Sequence, residues 1–357
     1  MLAAAMLAMS FAFTACGNLD NPLEELSGGG GSGGSSTINA TSLALDAILR
    51  LDKTTPQVLT PTVTPSDAAI TWESSDEAVA TVDATGKVTP IAAGTVTIKA
   101  TSGDLSATST VYVYDEIHNI NTGGDVTVTS GESWLIEGDK DTPEVKFIKI
   151  GDGAKVTLNG INIKLYIDCL GDATITLADG SENTVNVSSL YKAGIKVGPT
   201  DKTLTIEAET AGTGKLTVKG GGQAAGIGTN NANSVSVSGG NITINGGTVI
   251  TQGGDQAAGI GTGDSESGNN ACGDITINGG TVTATGGSYA AGIGTGNAVP
   301  GYSQTCGNIT IGTGVTSVTA TKGSSAPNSI GVGDAGLSDT QTCGTITIDP
   351  SANVTQN

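Results

Sequence analysis

The sequence predicts an all-β protein: an N-terminal β-sandwich followed by a right-handed parallel β-helix of about seven coils. Three observations carry that expectation. Thr, Val, Ile, Asn and Gly dominate the 357 residues; the first three favour strands, and Gly and Asn favour tight turns. No stretch of useful length repeats apolar residues at helical spacing. From about residue 115 a short grammar recurs at steps of 33 residues, which marks a repeat architecture.

Composition narrows the function classes. Glycine makes up 55 residues without a Gly-X-Y period, which excludes collagen. The net charge of −19 argues against nucleic acid or anionic lipid as partners of the folded part. It permits calcium or a basic partner, and it equally suits a surface protein kept soluble by its acidity.

In chain order, residues 1–15 form an apolar segment ending in small residues directly before Cys16. Too short to span a membrane, it resembles a bacterial lipoprotein signal with "FTAC" as the lipobox. Phe13 stands where Leu is usual, and no positive charge opens the segment. The true start codon is therefore expected upstream of Met1. After cleavage Cys16 would be acylated, leaving a protein anchored to the membrane by lipid alone. Within 16–36, the Gly/Ser run 27–36 reads as a flexible tether. The acidic "LDNPLEEL" resembles surface-export signals of Bacteroides-group outer-membrane lipoproteins, though an ordinary spacer has the same composition. The expected location is the outer membrane, exposed on the cell surface.

Residues 37–114 alternate apolar and polar residues in short runs separated by turns, the pattern of a sandwich. Trp72 before Ser74 and Ser75, then "AVATVD", "TGKV" at 85–88 and "AAGTVTIKAT" at 92–101, resemble the bacterial Ig-like group 2 domain. The resemblance implies a spacer or adhesion module without catalysis. Trp72 is expected in the core, and Gly86 at a turn position with positive φ. Asp76, Glu77 and Asp83 read as solvated turn carboxylates rather than a calcium site.

Residues 115–357 carry the repeat. "AAGIGT" stands at 224–229, 257–262 and 290–295, with degenerate copies "KAGIKVG" at 192–198 and "NSIGVG" at 328–333. A second marker, "NITI" or its variants, stands at 241–244, 274–277, 308–311 and 345–348. Between them lie "KLTVKGG", "TVITQGG" and "TVTATGG". Stretch 256–264, "QAAGIGTGD", has the look of a phosphate-cradling loop. Its recurrence, the lack of a following helix and the lack of a Lys-Ser/Thr pair exclude a nucleotide site.

Three short strands per unit with glycine corners describe a parallel β-helix. Ile242, Ile275, Ile309 and Ile346 should form an interior column, and Val249, Val282 and Val318 another above Leu216. Thr243, Thr276, Thr310 and Thr347 should form an outward row about 4.8 Å apart. Asn245 and Asn278 are placed for an asparagine ladder. The Ig-like unit is expected near one end of the rod, with 349–357 closing the other. This grammar resembles β-helical surface proteins described as carbohydrate-binding, related in shape to pectate lyases.

Cys272, Cys306 and Cys343 each precede the first Ile of their marker by three residues and so share a register. Their spacing suits a disulfide, yet three cannot all pair, and without His they suit zinc poorly. The favoured expectation is a buried ladder of small apolar side chains, with Cys169 in a different phase.

His118, the one histidine, is expected in the linker with no nucleophile beside it. A lyase of the pectate class implies a basic residue beside acidic calcium ligands, yet 224–320 holds no Arg or Lys. Arg50 is the one arginine; Lys192, Lys196 and Lys202 lie earlier. A glycosidase needs two facing carboxylates, which spacing alone does not reveal. The loops after each AAGIG supply binding groups instead. Tyr191, Tyr289, Tyr302, Gln304, Asn269 and Asn270 are the candidate carbohydrate contacts, against a competing reading as solvated loops and partly buried tyrosines. Asp264, Glu266, Asp334 and Asp339 are the candidate calcium ligands, and calcium is the one cofactor considered. The leading expectation is a non-catalytic, monomeric cell-surface lipoprotein that binds polysaccharide. A polysaccharide lyase or hydrolase is the second reading, and a stalk or adhesin for a protein partner the third.

Overall fold

The computed structural model describes residues 38–187, 191–334 and 341–357. Cys16, the signal segment and the tether lie outside them, as does Asp339. Every regular element among the described residues is a β-strand.

The first unit is a sandwich. One sheet joins Ile48–Asp52, Leu105–Tyr114, Gly94–Ser102 and Thr71–Ser74; the other joins Gln57–Val58, Lys87–Pro90 and Ala80–Val82. Alternating residues of Gly94–Ser102 point inward, so Val96, Ile98 and Ala100 are buried between exposed neighbours. Trp72 packs, partly buried, against this core. Its ring lies where a Cβ on Gly86 would be, and Gly86 has φ +81°; only glycine fits both demands. Asp83 accepts bonds from the Thr85 amide at 2.8 Å and the Lys87 amide at 3.1 Å, the role expected of a turn carboxylate.

The second unit is a β-helix of parallel sheets. A long sheet of nine strands runs from Glu116–Asn119 to Ile346–Ile348, flanked by sheets of eight and seven strands. A fourth sheet of four strands begins at Val237–Ser238 and ends at Gln341–Cys343. Nine rungs replace the expected seven or so because the early coils are shorter and lack the repeat motifs. Asn159 reaches Glu137 across 22 residues, whereas Asn278 reaches Asn245 across 33. His118 belongs to the first rung rather than to a linker: its strand pairs with Ser133–Glu137, and its ring stacks on Trp134 at 6.3 Å.

The expected columns form. Ile242 pairs with Ile275, and Ile275 with Ile309, all at most 1% exposed. Leu216, Val249, Val282 and Val318 stack in the third sheet and are fully buried. The asparagine ladder is present, Asn278 donating to Asn245 at 3.0 Å. Ile346 departs from expectation: on the last rung its side chain is 42% exposed. Residues 349–357 reach back only to the third sheet, where Val354–Gln356 pairs with Val315–Thr321.

The Ig-like unit lies against the side of the early rungs as well as their start. Lys53 pairs with Asp115 at 2.9 Å. Further along, Arg50 pairs with Glu209, just past the fifth strand of the long sheet, and Tyr112 meets Thr210 at 3.3 Å.

Candidate functional site

The repeated corners build a concavity. Three third-sheet strands, Lys215–Lys219, Thr248–Gln252 and Gly280–Thr285, run into glycine pairs before turning into AAGIGT. A Cβ on Gly254 would strike the carbonyl oxygen of Gly222, one on Gly287 that of Gly254, and one on Gly323 that of Gly287. Each rung therefore sits on bare backbone, and the stack leaves a trough of about 590 Å³. Gly220, Gly253, Gly286 and Gly323 line it, one from each of four rungs. Ser288 crosses between rungs to Asp255 at 3.0 Å.

Neither Tyr191 nor Tyr289 is among the trough's lining residues. Tyr289 follows the trough-lining Ser288 and is 40% exposed. Tyr191 holds the equivalent position three rungs earlier and is 58% exposed. Gln223 and Gln256 hold the two positions between, so the aromatic positions stand about 14 Å apart along the axis. Tyr302 is half-buried, its amide bonded to Val299 at 3.2 Å. Asn269 is exposed, with its side-chain oxygen accepting from Ser303 at 2.8 Å.

Gln304 and Asn270 have another job. They stack in register with Gln341, and Gln304 is 0% and Asn270 1% exposed. Each amide faces the Thr of an AAGIGT motif: Thr229 donates to Asn270 at 2.6 Å, Thr262 to Gln304, and Thr295 to Gln341 at 2.7 Å. Each amide NH2 donates to loop carbonyls, Asn270 to Asn230 and Gln304 to Gly263, both at 2.9 Å. The same threonines accept the amides of Gly263, Gly296 and Gly333. With no free polar atom at the surface, Gln304 and Asn270 hold the loops and do not present groups to a glycan.

Asp264 also faces inward. Asn231, Asp264, Asn297 and Asp334 each stand four residues after their coil's Ile. Asp264 is 1% exposed and accepts from Asn297 at 3.1 Å. Burial, reinforced by the charges of Glu266 and Asp255, pushes its carboxyl up to about 6. Its second oxygen has no partner, nor has the side-chain oxygen of the buried Asn231. Glu266 is exposed on the same loop, and Asp334 is half-buried two rungs on. Among the described residues no three His, Cys, Asp or Glu side chains gather as a metal would require. The described acidic candidates Asp264, Glu266 and Asp334 thus form no such group, while Asp264 and Asn231 each keep one unsatisfied side-chain oxygen.

A second cleft, about 440 Å³, separates the two units, with Tyr112, Lys155, Glu207 and Glu209 among its walls. Its carboxylates are only partly engaged: the second oxygen of Glu209 is buried without a hydrogen-bond partner. Glu209, with a side chain 1% exposed, holds Arg50 and accepts the Asp179 amide at 2.9 Å. Glu207 accepts from Thr176 at 3.2 Å. Spacing gave no hint of the Arg50–Glu209 pair; the singularity of Arg50 was the one available signal.

Residues 45–113 match the family described as bacterial Ig-like domain (group 2). Residues 242–264 and 275–297 match the family described as beta helix repeat. Two curated proteins share shorter stretches. A lacto-N-biosidase of Bifidobacterium bifidum is 45% identical over 83 residues, 22% of this chain and 7% of that protein. An alpha-L-arabinofuranosidase of Bifidobacterium longum subsp. longum is 46% identical over 68 residues, 18% of this chain and 6% of that protein. The chain therefore spans less than a tenth of either relative.

Proposed function

We propose that the protein is a non-catalytic, monomeric carbohydrate-binding lipoprotein of the cell surface. A glycan chain lies along the glycine-floored trough, and Tyr191 and Tyr289 offer ring faces beside it. The observation that carries this reading is the trough itself: about 590 Å³ floored by stacked glycines, with the exposed Tyr289 directly following its lining residue Ser288. Bare backbone lets a flat, hydroxyl-rich ligand approach main-chain groups, and an amphipathic phenol suits such a ligand at the rim. The names of both curated relatives, enzymes that act on carbohydrates, support a glycan setting. The pairing of Glu209 with Arg50 supports a structural rather than a hydrolytic role for that carboxylate. In this reading acylated Cys16 anchors the chain to the outer membrane, and the Gly/Ser tether and Ig-like unit hold the β-helix outward. Calcium, where it acts, is assigned to Asp264 and Asn231, whose unpaired oxygens are of the type that ion prefers.

The test is retention of the full chain on a panel of polysaccharides, with calcium and with chelator, assaying released sugar in the same samples. Retention without product is expected. A Tyr191→Ala/Tyr289→Ala double variant should lose at least about tenfold in affinity, a loss of about 1.4 kcal/mol, with an unchanged circular dichroism spectrum. Product release, or affinity indifferent to both tyrosines, would overturn the assignment.

A further inference from the structure

The fourth sheet carries three thiols on consecutive rungs. Cys272 pairs in register with Cys306, and Cys306 with Cys343. The first two are 7% and 6% exposed, with their sulfurs 3.1 Å apart. Cys343, on the last rung, is half-buried against the core. In-register neighbours on parallel strands hold their Cα atoms about 4.8 Å apart, inside the range a disulfide spans without backbone movement. Cys272 and Cys343 lie two rungs apart, outside that range. Cys306 is thus the shared member of two possible bonds.

We infer that this ladder is a redox-modified site: it takes up one disulfide from a small-molecule disulfide, and that bond moves inward by one rung. The exposed end starts the exchange. The Cys343 thiolate attacks a disulfide R–S–S–R, forming Cys343–S–S–R and expelling one RS⁻. The Cys306 thiolate then attacks the Cys343 sulfur, closing Cys306–Cys343 and expelling the second RS⁻. Finally the Cys272 thiolate attacks the Cys306 sulfur, closes Cys272–Cys306 and returns Cys343 as a thiol. Two protein thiols are oxidised, one R–S–S–R is reduced to two RSH, and the protons lost by the protein thiols end on the leaving groups. The inner pair is the resting product because both sulfurs are buried there, where a thiol from solution reaches them most slowly. Its bond staples adjacent coils, while Cys343 stays available.

The thiols are slow by construction. Bonding to Cys272 raises Cys306, and bonding to Cys306 raises Cys343, with burial adding to both. Exchange should therefore accelerate as pH rises, since the thiolate is the attacking species. Cys169, buried and pushed up to about 12 by that burial, is the internal control.

The test exposes the fully reduced, folded full chain to oxidised glutathione at pH 8, then alkylates and maps the cysteines by mass. The expected product has lost two hydrogens, carries a Cys272–Cys306 bond, and leaves Cys169 and Cys343 alkylatable after unfolding. The oxidised form should melt several degrees higher than the reduced one. Cys343→Ser should slow bond formation at least tenfold yet give the same product. Cys306→Ser should leave only a glutathione adduct on Cys343. A wild-type chain that keeps all three thiols, stops at that adduct, or keeps its bond at Cys306–Cys343 would overturn the inference.

Discussion

The early and late rungs of the β-helix solve the same stacking problem by different means. The early rungs are specified one by one. Lys196 pairs with Asp168 at 2.9 Å, Lys202 bridges Asp152 and Asp172 at 3.0 and 3.3 Å, and Phe147 stacks on Tyr166 at 6.0 Å. The late rungs use no Lys or Arg between 224 and 320. They hold by identity: Ile on Ile, glycine on glycine carbonyl, Thr on amide. A coil that repeats its neighbour satisfies every contact at once, but one altered residue disturbs two interfaces. The repetition lapses without disturbing the stack at Tyr191 and Tyr289, with Gln223 and Gln256 at the positions between.

That contrast is most easily broken at a glycine. Gly261 has φ +135°, and a Cβ there would overlap the carbonyl of Gly294 on the next rung. Gly261→Ala should destabilise the late rungs by more than about 4 kcal/mol, read as a large drop in melting temperature and lost hydrogen-exchange protection from 224 to 320. Gly124, in the early coils, has nothing within 4 Å of such a Cβ; Gly124→Ala should stay within about 0.5 kcal/mol. Equal effects at the two sites would dissolve the distinction.

The charged side of the comparison predicts the next largest effect. Removing Arg50 leaves Glu209, whose side chain is 1% exposed, as a buried charge without its partner. Arg50→Ala should cost about 3–4 kcal/mol and split thermal unfolding into two transitions as the Ig-like unit uncouples. An Arg50→Met/Glu209→Leu chain should recover much of that loss, since no charge is then stranded. A single cooperative transition in Arg50→Ala would mean that the two units are joined by something else.

The late rungs answer with a neutral bond. Thr262 donates to Gln304 and accepts from the Gly296 amide at 2.9 Å, all in buried surroundings. Thr262→Val keeps the shape and removes both bonds, so a loss of about 2 kcal/mol is expected. Thr174, half-buried on the outer face of an early rung, is the matched control, and Thr174→Val should change stability by less than about 0.5 kcal/mol.

Legibility follows the same divide. The late columns could be read directly, because "ITI" fixes which side chains share a face and the 33-residue step fixes what stacks on what. The early rungs could not, since their steps change and the residues stacked in one column vary from Trp134 to Val156 to Ile175. In the candidate site, Tyr191 and Tyr289 were legible as a shared register. Asn270 and Gln304 were mistaken for ligand contacts because polar loop residues suggest the surface. Strand alternation held the correct signal: each stands two residues before a Cys, so side chain and thiol share the inward face. The Arg50–Glu209 pair spans 159 residues, and no local pattern could join them.

The smallest effect concerns Asp264, the one buried carboxylate among the described loop residues of the late rungs. Burial raises the Asp264 carboxyl to about 6 from its ordinary 3.8. The folded chain therefore holds this proton more tightly than the unfolded chain does. Its contribution to stability is complete below pH 4 and is lost as pH rises through about 6. With chelator present, the wild type should lose about 1–2 kcal/mol from this group between pH 4 and 8, within the reach of a two-unit shift. Asp264→Asn removes the titration, so its stability should lack that component and exceed the wild type's at pH 8. The early rungs supply the contrast. Asp152, held below the usual range by the Asp172 amide and Lys202, shifts in the opposite sense, and Asp152→Asn should forfeit its contribution above pH 4. Matching pH profiles for the two variants would show that the late loops leave Asp264 in contact with water, and that the neutral interior of the late rungs ends before it reaches them.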